Sequence, residues 1–396
     1  MSSNAYKFEK ASRSLMERLF EASAVGRMSP VAKLVVYAFL IFWSAFVLFP
    51  IYWVVITSFK DAKLVNEGPY YIPFVDFAPS LDGWTFTFSA PTDPYCDVAS
   101  FGRHLWFLVH NAGAFLLSPI AAIQPLEPQI CKIGLAFTNS VVVSLGSTVL
   151  CMVFGSMAAY ALARIQYRPK FGNIVAFVVF AVIAMVITSY MNLHWSVVGA
   201  VALALFFLFA RALGKHFTNT LGNGDILFWI ISQRILPPIV VIIPVYMMFQ
   251  AVGMIDTQMA LILVYAVANL PIVVWLMHDF FASLPIELEE SAQLDGATKF
   301  GIFWDIVLPL TRPGLAATTL LTLILSWNEY LFAVFLTTAR AQTMPIMIAS
   351  KNSGERGILW WEMCAIIVVM IVPVIIMAIF LQRFIAKGVL LGAVKG

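Results

Sequence analysis

Charge is scarce in this chain: Asp, Glu, Lys and Arg together make up only 11% of its 396 residues, against 61% hydrophobic residues. Soluble domains carry roughly a quarter charged residues, so a water-soluble globule is excluded. Histidine is equally sparse. The five are scattered, and no spaced pair sits on two facing apolar segments as a haem or metal site requires. The four cysteines, Cys96, Cys131, Cys151 and Cys364, lack metal-ligand spacing. Also missing is G-x-x-x-x-G-K-[ST], since Gly214-Lys215 runs into His216, so the chain has no phosphate-cradling loop of its own. The net charge of +3 gives no footprint for nucleic acid.

What the chain has is apolar runs of about twenty residues, long enough to cross a hydrocarbon core. They cover 34–57, 133–163, 172–190, 195–213, 226–249, 258–277, 314–336 and 363–384, which predicts an all-α polytopic membrane protein with about eight spans. The basic start, with Lys7, Lys10, Arg13, Arg18, Arg27 and Lys33, runs directly into the first span and reads as an uncleaved anchor. This predicts a tail over 1–33, a first membrane helix over 34–58, an extended proline-dotted segment over 59–132, and a membrane domain over 133–387 with a closing tail over 388–396. Alternation around Trp84-Thr-Phe-Thr-Phe suggests a short strand or extended stretch. Small residues Ser140, Ser144, Gly146, Ser147, Gly155, Ser156 and Ala158 allow close helix approach in the second span. Lys and Arg concentrate in alternate connecting segments, which places both termini in the cytoplasm.

One long polar stretch interrupts the second half, from Glu290 to Pro309. Pro285 suits the first turn of a short helix, and Glu287, Glu289 and Glu290 suit its positive end. Gly296 permits a sharp turn, and Phe300, Phe303, Trp304, Ile306 and Val307 form the apolar face of a second short helix, stopped before Pro309. Two short helices around a glycine make a plug suited to docking into another protein. The order Glu290, Ala292, Asp295-Gly296-Ala297, Ile306, Leu308-Pro309 resembles the EAA loop of ABC-importer permeases, with Ser291 in place of the usual alanine. Ala159-Tyr160-Ala161-Leu162-Ala163-Arg164, Pro237-Pro238 through Pro244, Asn269-Leu270-Pro271, Ser326-Trp327-Asn328-Glu329-Tyr330 and Gly392-Ala393-Val394-Lys395-Gly396 are similar to the carbohydrate-type permeases, in matching order.

The resemblance implies a type I ABC-importer transmembrane domain in the bacterial inner membrane, whose loop 279–312 couples to a cytoplasmic ATPase. It implies no catalysis by this chain; ATP and Mg belong to the partner ATPase dimer. It further implies a second permease subunit, an external substrate-binding protein, and a sugar, glycoside or polyol as cargo, such as a small α-glucoside. In the family pattern the chain passes almost directly from the Arg164 region to that of Asp225, so 172–213 is expected to be an inserted membrane hairpin. Parity then makes the apolar stretch 104–123 a helix on or above the outer surface, since another crossing would put the loop outside.

Ionisable and amide groups inside spans are the candidates for a substrate pathway. Arg234 precedes the helix-bending Pro237-Pro238, while Trp327, Asn328 and Glu329 combine an aromatic face, an amide and a carboxylate suited to a sugar; interhelical bonding alone is the competing reading. Asn269, ahead of Pro271, is a further pathway candidate and is expected to satisfy a kinked backbone. Lys351, Glu355 and Arg356 read as a solvated outer loop, with a binding-protein contact as the alternative. Cys96 and Cys131 share the outer segment, where a disulfide and two free thiols remain alternatives; Cys151 and Cys364 read as packing residues. An ion-coupled secondary transporter would need a repeated pair of broken helices, and a membrane enzyme would need clustered acids or histidines. Neither pattern is present.

Overall fold

The computed structural model describes residues 28–88, 132–191, 195–212, 216–352 and 358–392. Regular structure among them is helical, apart from two isolated bridges. The chain divides into two compact units, one of residues 1–91 with 351–369 and the other of 92–350 with 370–396.

In the first unit, α1 (Pro30–Thr57) starts at Ser29, whose hydroxyl accepts from the Ala32 N–H at 3.2 Å. Leu34, Phe39, Phe42, Trp43 and Phe46 stand exposed around its circumference. A helix that is apolar on every side is one surrounded by an apolar medium. Just past its end Lys60 is buried, its Nζ donating to the Tyr70 carbonyl at 2.7 Å and lying 4.4 Å from the Trp53 ring centre. Asp61 caps the short α2 (Ala62–Glu67). The segment expected as a strand is instead a helical turn, α3 (Asp82–Phe88). The alternation was only five residues long, and burial follows the i, i+4 pair Gly83 and Thr87 while Thr85 is exposed. Of the stretch read as a solvated loop, Lys351 meets Glu362 Oε2 through its Nζ at 2.5 Å, with both side chains largely buried, while Glu355 and Arg356 lie outside the described residues.

In the second unit, α4 (Lys132–Arg164) and α9 (Gln258–Ala282) form the most extensive helix pair among the described residues. Gly155 allows this approach, since a Cβ there would come within 2.6 Å of the Val273 side chain. The helix α12 (Arg312–Trp327) packs on both. Two apolar clusters fill the bundle. One gathers Val143, Ile242, Leu261, Tyr265, Phe332 and Leu336, and the other gathers Cys151, Leu162, Val274, Met277, Phe281 and Phe303. The hairpin α5 (Phe171–Met191) and α6 (Trp195–Ala212) packs mainly on itself through Phe177, Phe180, Phe206 and Phe209.

By length and composition five described helices could cross a membrane: α1, 133–164 of α4, 171–188 of α5, α9, and 360–380 of α15 (Trp360–Gly392). Two runs expected as single spans are divided. The first breaks into α7 (Asn223–Ser232) and α8 (Pro238–Ala251), because Pro237 and Pro238 withhold the N–H groups that would continue the ladder. The other breaks after Trp327, resuming only as α13 (Leu331–Leu336), followed by α14 (Met344–Ser350). At the far end α15 continues through Gly388 to Gly392.

Candidate functional site

The polar stretch folds as α10 (Glu287–Leu294) and a helical run α11 (Lys299–Leu310), which meets α12 at an 81° bend. α11 therefore lies across the axis of α12, which follows it. Gly296 makes the turn. With φ of +85° it ends α10 by sending its N–H to the Gln293 carbonyl while Ala297 N–H reaches the Ala292 carbonyl, both at 3.0 Å. Thr298 then caps α11, its hydroxyl accepting from Gly301 N–H. Contrary to expectation, α11 does not stop before Pro309. Its middle, Ile302–Val307, is a wide turn in which Leu308 N–H bonds the Phe303 carbonyl five residues back. The proline, lacking an N–H and needing room against the preceding turn, follows a helix already widened by one residue.

Of the expected coupling residues, Glu290, Asp295, Gly296 and Ala297 are exposed on this loop, while Ala292, Ile306, Leu308 and Pro309 are partly buried beneath it. Leu294, Phe300 and Trp304 add large apolar side chains to the open face, Leu294 being 90% exposed. Sequence reasoning assigned Glu289 to the helix dipole together with its neighbours. The side chain instead turns inward, with Oε1 accepting from Arg164 Nε at 2.6 Å and Oε2 from the Tyr160 hydroxyl at 2.7 Å. Arg164 also donates through Nη2 to the Leu284 carbonyl at 3.0 Å. The Tyr160 ring lies 4.9 Å from Phe303 and 5.8 Å from Phe281, so one turn of α4 holds α9, α10 and α11 together.

Each candidate pathway residue is engaged with a group of the protein itself. Trp327 is buried and donates its indole N–H to the Met370 carbonyl at 3.2 Å. Asn328 is exposed and donates to the Ile324 carbonyl of its own helix. Glu329 caps α13, accepting from Phe332 N–H at 3.2 Å. Arg234 is exposed at the break between α7 and α8 and donates to the Ala268 carbonyl at 2.9 Å. Asn269 does not satisfy the backbone at Pro271. Its amide donates to the Ser326 hydroxyl at 3.0 Å, and Ser326 meets the Ser147 hydroxyl at 3.1 Å, which joins α9, α12 and α4 through buried polar groups. The guanidinium of Arg234, and not Asn269, serves a carbonyl in the turn ahead of Pro271.

At the opposite end of the unit Asp256, at φ of +60°, holds the turn after α13. Its carboxylate accepts from the N–H groups of Thr338, Ala339, Arg340 and Ala341 and from the Thr338 hydroxyl. Burial works against its ionisation, but the N–H groups of Arg340, Ala341 and Thr338 outweigh it and hold the carboxyl below the usual carboxylate range. Asn139 extends the same clamp, donating to the Arg340 and Gln342 carbonyls at 2.8 Å and accepting from Gln258. No cluster of His, Cys, Asp and Glu able to hold a metal occurs among the described residues. Cys151 and Cys364 are buried free thiols, whereas Cys96, Cys131 and the 104–123 helix lie outside the described residues.

Residues 219–390 match the family model for binding-protein-dependent transport system inner membrane components. A trehalose/maltose transport system permease of Thermococcus litoralis is 33% identical over 176 residues, 44% of this chain and 63% of that one. The chain thus spans less than two thirds of that relative. An ABC transporter permease of Streptomyces antibioticus is 33% identical over 168 residues, covering 42% of this chain and 73% of the relative. Among solved structures, a bacterial ABC transporter involved in the import of the acidic polysaccharide alginate shares the fold. The TM-score is 0.50 at 19% identity, with 94% of this chain and 98% of that one covered.

Proposed function

This chain belongs to the family of binding-protein-dependent transport system inner membrane components, and we propose that it is the permease subunit of an ATP-driven importer for a sugar, glycoside or polyol. As a family member it is an integral membrane component of a transporter, with ATP hydrolysis assigned to a separate subunit. The observation that carries the reading is the loop 285–309. Its second helix lies crosswise to α12, its first is rooted by Glu289, and it offers Glu290, Leu294, Phe300 and Trp304 to a partner. A compact rooted helix pair with an apolar, acid-flanked outer face is a shape that seats in a groove. On this reading the groove belongs to an ATPase that carries ATP and Mg, and its closure moves the loop and switches the cavity between its inward and outward openings.

The trehalose/maltose specificity of the Thermococcus relative supports a carbohydrate cargo. The complex would hold a second, non-identical permease, two ATPase copies and an external binding protein. Both termini would face the cytoplasm, with the Asp256 clamp on the outer side. Arg234, Asn269, Trp327, Asn328 and Glu329 would line or support the substrate pathway. Purification of the tagged chain from its native membrane, followed by mass spectrometry of its companions, tests the assignment. An ATPase with a phosphate-binding loop and a different permease should co-purify. A chain that emerges alone and still transports without ATP would overturn it.

A further inference from the structure

We propose that Glu289, Arg164 and Tyr160 are the joint through which movement of the loop reaches the membrane bundle; this rests on the coupling role proposed above. Glu289 is not part of the motif that marks the loop. It is also the one acid of the α10 first turn that is withdrawn from the surface, since Glu287 and Glu290 are exposed. Both of its oxygens are committed to a single turn of α4, and Arg164 makes a third bond to Leu284, ahead of α10. Charge-assisted bonds of this kind fix direction as well as distance. A rooted carboxylate–guanidinium pair is weak evidence for added stability, because desolvation offsets much of the attraction. Its geometric effect is larger: α10 cannot move outward or rotate without drawing the end of α4 with it.

The route beyond that joint is continuous. From Tyr160 and Arg164, α4 runs along α9, meets Ser326 of α12 through Ser147, and reaches Asn139, which holds the turn clamped by Asp256. A displacement at the loop is therefore delivered to the opposite end of the unit by one helix with a hydrogen-bonded contact at each stage. Tyr160 adds the lateral contact, packing on Phe303 of α11 so that both loop helices follow the same turn of α4. These are positioning residues: they touch neither nucleotide nor cargo.

The test uses the complete complex in proteoliposomes with binding protein and labelled sugar, reading uptake and ATP hydrolysis together. Glu289→Gln and Arg164→Lys should assemble with the ATPase and hydrolyse ATP, while sugar taken up per ATP falls on the order of fivefold or more, the size of a typical coupling energy. The exchange Glu289→Arg with Arg164→Glu should recover part of that ratio, which a general packing defect would not do. Tyr160→Phe keeps the ring contacts and loses one bond, so it should show a smaller fall and stay testable if the charge variants fail to assemble. Wild-type uptake per ATP in the assembled variants, Tyr160→Phe included, would overturn the proposal. A wild-type complex that takes up sugar without ATP would instead overturn the coupling reading beneath it.

Discussion

At Gly296 the backbone sits at φ of +85° with open space where a Cβ would go. The cost of Gly296→Ala is therefore conformational and not steric, about 1–2 kcal/mol, and it should appear as a lower melting temperature and a loosened loop in hydrogen exchange. Asp256→Asn separates charge from backbone shape, since asparagine also tolerates the left-handed region. It weakens bonds worth about 1.5–3 kcal/mol to a charged acceptor, and should destabilise the clamp by that order in thermal unfolding. Because Asp256 has its carboxyl held below the ordinary value, its contribution is complete above that ordinary value and disappears as pH falls through the folded one. Wild-type stability should thus drop on acidification more steeply than that of Asp256→Asn. Glu290 and Gly296 were legible as loop residues from their order in the sequence. The inward turn of Glu289 was not, since it depends on Arg164, 125 positions away in the chain, and three acids in one helical turn look alike to a dipole argument.

Among the elements, the long runs were legible because a membrane span needs only length and hydrophobicity, and α1, α4, α5, α9 and α15 fall where those runs predict. The breaks were harder to read. Pro237-Pro238 signals one, but the gap at Asn328–Tyr330 holds neither proline nor glycine and depends on Glu329 capping α13 and on the Tyr265 hydroxyl reaching the Glu329 carbonyl at 3.3 Å. The hairpin α5–α6 leaves and rejoins the bundle at a closed neck. Phe171 N–H bonds the Asn219 carbonyl, Leu221 N–H bonds the Pro169 carbonyl, both at 2.9 Å, and Asn223 ties back to Leu162, Ile165 and Tyr167. Tolerance of a deletion follows the burial and bonding of the backbone affected. Replacing residues 170–220 with a short Gly-Ser linker should therefore leave assembly with the proposed ATPase intact and uptake near that of the full chain. Loss of the complex on gel filtration would show instead that the hairpin supports the bundle.

Over the whole molecule, the low charge content settles the membrane class and little else; substrate and partners are properties of surfaces that composition does not describe. The two ends of the second unit are each held by one committed carboxylate, Glu289 at the loop and Asp256 at the opposite turn, and α4 and α9 connect them. That arrangement suits a body that moves as one piece when pushed at the loop. The most direct measurement is sugar uptake into proteoliposomes holding this chain with the proposed second permease and ATPase, with the proposed binding protein outside and ATP supplied at the ATPase side. Uptake should require ATP, and Glu290→Ala with Gly296→Pro in the loop should abolish it while the ATPase alone still turns over. Undiminished uptake by that double variant, or equal uptake without ATP, would contradict the account.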